Sequence, residues 1–271
     1  MNRPALDDLI ALALAAGREI MLVKQAGFDA IDKSDGSPVT IADHRAEAVI
    51  EAGLAKLMPG VPMIGEEAVA AGRIPECGAH FFCVDPLDGT KDFIAGESGE
   101  FTVNIALVEN GAPQVGVVFA PATGELFAGE PGRAVKGAYD ALSGAARAAL
   151  APIHTAQPSG VWRVIASRRS GANAATDAFI QKLGPSERLS SSSSIKFCRL
   201  AEGRADLYPR LGDVNEWDIA AGHAVLSAAG GGVMMLDGAP LYYGGRQGVF
   251  LVHGFVAFSS AAAGAAALKA L

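Results

Sequence analysis

An apolar run, Phe81-Phe82-Cys83-Val84, leads directly into Asp85-Pro86-Leu87-Asp88-Gly89-Thr90-Lys91-Asp92-Phe93, a stretch with few backbone paths open to it. The run predicts a buried strand. Proline disfavours the helical region for the residue before it, so Asp85 is expected as the last extended residue. Leu87 to Gly89 then make a tight turn, and Thr90 is placed to cap a short helix. Two acids therefore sit on the rim of a strand-to-helix turn, beside free backbone N–H groups. Carboxylate oxygens suit hard cations such as Mg²⁺, and a helix start suits phosphate. A solvated acidic loop has the same composition, so partners elsewhere in the chain decide.

The 271 residues suffice for one large domain or two modest ones. Half the residues are hydrophobic and mean hydropathy is +0.27, much of it from alanine. A net charge of −7 argues against a nucleic-acid polymer as partner. The charge is uneven: residues 161–210 carry nine Lys/Arg against four Asp/Glu, a net of +5, which leaves −12 for the rest. Such a chain can face an anionic ligand with metals at one end and arginines at the other. Cys77, Cys83 and Cys198 are odd in number and lack zinc-site spacing. They read as reduced thiols in a cytoplasmic protein, with peripheral association at the inner membrane left open. Asp7 and Asp8 interrupt the first apolar run, against a signal peptide. Residues 248–267 hold no charged side chain, but glycine and serine break them. They predict two short strands and a terminal helix capped by Ser259 or Ser260 rather than an integral span.

Apolar spacing from Leu6 to Val23 predicts a first helix ending near Gln25. Thr40-x-x-Asp43 opens a second, stopped by Pro59-Gly60. Met63 to Glu67 reads as a short strand running into acids. Phe101–Glu109 and Val115–Phe119 flank Asn110-Gly111, a hairpin signal, and a third strand reaches Phe127. The Ala/Pro/Ser-rich residues 141–160 are the expected boundary. This divides the chain into an α+β half (1–150) and an α/β half (151–271). In the second half, strands are expected at Val161–Ser167, Ala205–Tyr208, Val233–Leu236 and Val249–Val252. Helices are expected at Ala174–Leu183, Ile195–Ala201 and Trp217–Ala229.

Five acids fall at element edges: Asp43, Glu66, Asp85, Asp88 and Asp218. Singly, each is equally well explained as a cap or a favourable helix-start charge. Jointly, Ile64-Gly65-Glu66-Glu67, Asp85-Pro86-Leu87-Asp88-Gly89-Thr90 and Trp217-Asp218-Ile219-Ala220-Ala221-Gly222, in this order and spacing, resemble the inositol monophosphatase superfamily. The loop Lys33-Ser34-Asp35-Gly36-Ser37-Pro38-Val39-Thr40-Ile41-Ala42-Asp43 is similar to the family's N-terminal pattern. The resemblance covers nearly the whole chain. It implies a layered αβαβα sandwich and a Mg²⁺-dependent, lithium-sensitive phosphatase.

Carried over residue by residue, the resemblance implies one Mg²⁺ on Glu66, Asp85 and the Leu87 carbonyl. A second would lie on Asp85, Asp88 and Asp218, with a weaker third anchored through Glu66. Thr90 with Asp43 would orient and deprotonate the attacking water, with Asp88 also at the reacting centre. Gly89 and Thr90 would offer backbone N–H groups to phosphate. Lys33 and Glu67 are candidate partners of metal-bound waters. A chain of net charge −7 needs divalent cations to hold a polyanionic ester among carboxylates.

Within the superfamily the chain is most similar to bacterial 3′(2′),5′-bisphosphate nucleotidases, which convert adenosine 3′,5′-bisphosphate to AMP. Ser191 to Cys198, Ala201 to Arg210 and Glu216 to His223 carry this likeness. It implies that the second half completes the active site and binds the nucleotide. Ser193, Lys196 and Arg210, with Arg168, would meet the ester's remaining groups beside Glu66, Leu87, Asp88 and Asp218. Three segments depart from the subfamily pattern: Leu211 to Asn215 is not Gly-Pro-Thr, Arg168-Arg169-Ser170 lacks a histidine, and residues 242–256 lack Asn-Pro. All three lie outside the acidic motifs. Inositol, sugar or histidinol phosphates remain alternative substrates, a catalytically silent binding member is a second alternative, and monomer and homodimer are both open. The five histidines read as structural.

Overall fold

The computed structural model describes residues 3–32, 38–96, 99–168, 173–244 and 249–271. Helix α1 (Leu6–Ala26) is followed by the short antiparallel pair β1 (Ala30–Asp32) and β2 (Pro38–Thr40), and then α2 (Ile41–Leu57). The expected Thr40/Asp43 capping box closes the start of α2. Strand β3 (Met63–Gly65) runs into α3 (Glu66–Ala70), and β4 (His80–Asp88) into α4 (Thr90–Ala95). Next come β5 (Thr102–Glu109), β6 (Ala112–Ala120), β7 (Glu125–Glu130), β8 (Arg133–Tyr139) and β9 (Ala146–Pro152). Strands β3 to β9 form a seven-stranded sheet in chain order. Only β3 and β4 are parallel among its neighbours. Positive φ at Asn110 (51°) and Gly111 (78°) makes the expected β5–β6 turn.

The central strands of this sheet are buried on both faces, which is why β4 reads as a continuous apolar run. Phe82, Val84 and Leu87 pack with α1 and α2, while Phe81 and Cys83 join the core on the opposite side. That second core is shared with the other half of the chain, which begins with β10 (Trp162–Ser167), α5 (Ala174–Leu183), β11 (Ser186–Ser191), α6 (Ile195–Ala201), β12 (Leu207–Arg210) and β13 (Val214–Asn215). A 3₁₀ turn at Glu216–Asp218 precedes α7 (Ala220–Ala228). The chain continues with β14 (Gly232–Met235), β15 (Leu251–Val252), β16 (Phe255–Phe258) and α8 (Ala261–Ala270), which Ser260 caps. A five-stranded sheet runs β11-β10-β12-β16-β14, and β13 pairs with β15. Residues of α6 and α7 fill the space between the two large sheets, and residues of α5 and α8 cover the far face of the second. The layers are therefore αβαβα, as the resemblance implies. A Cβ on Gly116 or Gly129 would stand 2.4 Å from the Ala221 carbonyl oxygen or 2.7 Å from Val225 Cα. These glycines let α7 lie directly on β6 and β7.

Several local expectations need correction. Within the expected boundary at 141–160, β9 occupies 146–152 and pairs with β8, a strand the sequence did not announce. Its side chains are mostly exposed, so no apolar alternation marks it. Strand β11 escaped for the same reason, being polar and at a sheet edge. The helix expected over Trp217–Ala229 is divided at Ile219. No helix among the described residues is long and apolar enough to cross a membrane.

Candidate active site

Strand β4 does not end at Asp85. Its pairing with β5 continues to Asp88, with Asp85 opposite Asn104 and Asp88 opposite Thr102. Three residues on β4 thus span two on β5, which is a bulge. Pro86 has no N–H to leave unpaired, so it is tolerated there. In a regular strand, residues three apart face opposite sides. The extra residue turns Asp85 and Asp88 to the same side while Leu87 stays in the core below.

Strand β3 lies parallel to β4 with Gly65 opposite Val84, so Glu66 emerges next to Asp85. Asp218 arrives from the other sheet's side, at the end of the 3₁₀ turn, where the Asn215 N–H donates to its Oδ2 (3.0 Å). Carboxylate oxygens of Glu66, Asp85 and Asp218 lie within 4.8 Å of one another. Asp85 Oδ1 accepts from the Leu87 N–H (2.9 Å), but the buried Oδ2 has no hydrogen-bond partner. An all-oxygen set with an orphaned buried carboxylate oxygen suits a hard divalent cation. Burial, and then the neighbouring carboxylates, holds Asp85 well above the usual carboxylate range. Asp218 is pushed up to about 7 by burial and by Asp88 and Glu66. Asp88 is raised to about 6 by burial, against the pull of the Lys196 ammonium.

These shifts make the metal-free protein sensitive to pH. A folded carboxyl with a raised pKa binds its proton more tightly than the unfolded chain does, so stability falls as pH rises from its ordinary value to the raised one. His223 opposes this: burial lowers it to about 4, so its contribution grows between there and pH 6.5. With buried Asp43 and Glu47 also raised, five carboxyls against one imidazole set the net direction. In EDTA the melting temperature is expected to be higher at pH 5 than at pH 7.5, and Mg²⁺ should narrow the gap. A calorimetric scan at both pH values, with and without Mg²⁺, checks this.

Thr90 does not cap α4. Gly89 holds that position in the left-handed region at φ 90°, and a Cβ there would stand 2.4 Å from Ser193 Oγ. Thr90 is the first helical residue, and its hydroxyl faces two acceptors, Asp43 Oδ1 (3.1 Å) and the Leu87 carbonyl (3.2 Å). Asp43 Oδ2 accepts from both the N–H and the hydroxyl of Thr40 (2.8 Å each). Buried Asp43 is raised above its ordinary pKa by desolvation, with the Thr40 and Thr90 hydrogen bonds pulling it down.

Glu66, Asp85, Leu87, Asp88, Gly89, Thr90 and Asp218 line one cleft of about 560 Å³, together with Ser193, Lys196 and Arg210. Asp43 stands behind it, one hydroxyl away. Ser193 donates to the Asp88 carbonyl (2.9 Å). Lys196 Nζ donates to the Ser193 carbonyl (2.5 Å), over the Tyr208 ring. Burial pushes Lys196 down to about 8. Glu67 is buried and is not among the lining residues, nor is Arg168, whose guanidinium pairs with Glu100 (2.8 Å). Lys33 lies outside the described residues. Among the histidines, His223 pairs with the Tyr243 hydroxyl (2.9 Å), and exposed His253 pairs with Asp213 (2.9 Å), a contact the sequence did not suggest.

Asn104 escaped the sequence reading. Asn104 is fully buried and its Nδ2 donates to Ser194 Oγ (3.0 Å), while that hydroxyl donates to the Asp218 carbonyl (2.7 Å). The chain carrying Asp218 is thereby fastened to the strand paired with Asp85. A lone asparagine within Val103-Asn104-Ile105-Ala106-Leu107 was the available signal, since a buried polar side chain requires a partner.

The profile of the Inositol monophosphatase family matches residues 2–266, and the chain belongs to that family. It is 42% identical over 252 residues to the 3′(2′),5′-bisphosphate nucleotidase CysQ of Escherichia coli, covering 92% of this chain and 98% of that protein. Among solved structures, CysQ from Bacteroides thetaiotaomicron aligns with a TM-score of 0.76 at 35% identity, over 94% of this chain and 96% of the other. Inositol monophosphatase from Anabaena aligns at 0.71 and 26% identity, over 97% and 94%.

Proposed function

We propose that this protein is a Mg²⁺-dependent phosphoric monoester hydrolase that removes the 3′-phosphate of adenosine 3′,5′-bisphosphate, giving AMP and phosphate. The observation that carries the reading is the cleft itself: three carboxylates within 4.8 Å of one another, with Lys196 and Arg210 in the same lining. A bisphosphate nucleotide has one anionic group for each. Similarity to the Escherichia coli nucleotidase along nearly all of that protein's length supports the choice of ester.

Glu66, Asp85 and the Leu87 carbonyl would hold one Mg²⁺, Asp85, Asp88 and Asp218 a second, and Glu66 a weaker third. Bound there, the ions would make water easier to deprotonate and offset the phosphate's charge. Thr90 supplies the proton path: its oxygen accepts a proton from the attacking water as its own hydrogen passes to Asp43 Oδ1. Burial of Asp43 favours that transfer by raising its proton affinity. The water oxygen bonds to phosphorus as the bond to the ribose 3′-oxygen breaks; that oxygen takes a proton from solvent water, and Asp43 returns its own proton to solvent. Gly89 and Thr90 N–H groups would hold phosphate oxygens. Lys196 and Arg210 would hold the 5′-phosphate, and Ser193 keeps Lys196 and the Asp88 loop in register. The free thiols of Cys77, Cys83 and Cys198 support a reducing, cytoplasmic setting.

Phosphate release from adenosine 3′,5′-bisphosphate and from inositol 1-phosphate, each with Mg²⁺ or EDTA, tests the reading. Faster turnover of the nucleotide, lost in EDTA, is expected. Preference for the inositol ester would overturn the substrate, and full turnover in EDTA would overturn the metal.

A further inference from the structure

Helix α2 carries two buried carboxylates one turn apart, Asp43 and Glu47, which are 2% and 3% exposed. Asp43 has a place in the chemistry above, and Glu47 has none. Its Oε2 accepts the N–H of Glu67 (2.9 Å), in the first turn of α3. That helix has five residues and no side-chain cap of its own, because its N-cap is Gly65. A helix this short cannot hold itself together, since nucleation costs more than one turn returns. The N–H groups of its first turn need an acceptor from elsewhere, and Glu47 provides it from α2.

Gly65 makes the arrangement possible. A Cβ at that position would stand 2.5 Å from Glu47 Oε2 and 2.9 Å from its Cδ. The backbone there is ordinary extended chain (φ −115°, ψ 145°), so the glycine is not required by conformation. It is required by the room the carboxylate takes. Exposed Arg73, just beyond α3, approaches the other oxygen at 3.7 Å. Glu66, the first residue of α3, is thus held by two things: the pairing of Gly65 with Val84 on β4 and the Glu47 carboxylate behind the turn.

We infer that Glu47 is a positioning residue for divalent-cation binding, fixing the first turn of α3 so that Glu66 meets Asp85 and Asp218. This rests on the metal-dependent reading of the cleft, and it assigns Glu47 no contact with metal or substrate. Removing a residue that orients a ligand commonly costs about 10–100-fold in metal affinity.

Mn²⁺ binding to the full-length protein, measured by titration calorimetry without substrate, reads the effect directly. Glu47→Ala is expected to weaken binding by about tenfold or more. Glu47→Gln keeps an acceptor oxygen for the Glu67 N–H and is expected to stay within about threefold of the parent. Gly65→Ala leaves the backbone unstrained but displaces the carboxylate, so it should weaken binding as Glu47→Ala does. It also decides the matter if Glu47→Ala fails to fold. A purely structural role would lower the melting temperature of these variants with Mn²⁺ affinity unchanged, which would overturn the inference. Glu47→Gln as weak as Glu47→Ala would overturn the hydrogen-bond account. A parent protein that binds no Mn²⁺ would remove the metal reading itself and the inference with it.

Discussion

Asp85→Asn is expected to lower Mg²⁺-dependent turnover by about a thousandfold or more, equivalent to about 4 kcal/mol of transition-state stabilisation. The same change should raise the melting temperature of the metal-free protein. Both effects come from one atom. Asp85 Oδ1 is occupied by the Leu87 N–H, and an asparagine oxygen can keep that bond. Oδ2 is buried without a partner, and that burial, with the carboxylates around it, holds Asp85 well above its usual range. An amide nitrogen there removes a charge and donates a hydrogen bond to a neighbouring acid, but it cannot hold a cation. Each kcal/mol gained would move the midpoint by about 2–4 °C in a chain of this size. Steady-state kinetics with a calorimetric scan in EDTA measures both. Wild-type turnover in the variant would exclude Asp85 from any cation site the reaction needs.

Thr90→Val is expected to act differently, lowering kcat by about a hundredfold or more with KM and Mn²⁺ affinity nearly unchanged. Valine keeps the branched shape and removes only the hydroxyl between Asp43 and the cleft. Asp43 keeps its two bonds from Thr40, so the start of α2 stays closed. Loss of a partner at Asp43 Oδ1 costs about 1 kcal/mol, which a melting curve can detect. If kcat is unchanged while the hydroxyl is absent, the proton takes another path and Thr90 is only a neighbour.

The layered fold was legible because its central strands are buried on both faces and because α2 and α8 open on the capping side chains the sequence offers. The apolar run before Asp85 and the Thr40/Asp43 box both sit where the sequence puts them. Strands β9 and β11 were illegible because periodicity reports burial, and their side chains are largely exposed. At the site, the acids could be identified by motif, but not the backbone device that brings Asp85 and Asp88 to one side. A bulge depends on how β5 pairs with β4, and pairing is a property of two segments. Glu47 and Asn104 were missed for a related reason. Neither lines the cleft, and each acts by holding a piece of chain from another part of the molecule.

Asp43 divides its two oxygens between employments of different kinds, one closing the first turn of α2 and the other receiving the hydroxyl of Thr90. With Asp43 as the proposed proton acceptor, architecture and reactivity are written into the same four heavy atoms. Anyone transplanting this centre into a foreign scaffold would have to carry the beginning of that helix along with the acids. Conversely, a redesign that swaps the Thr40/Asp43 box for a stronger helix start would silence the protein while its thermogram improved.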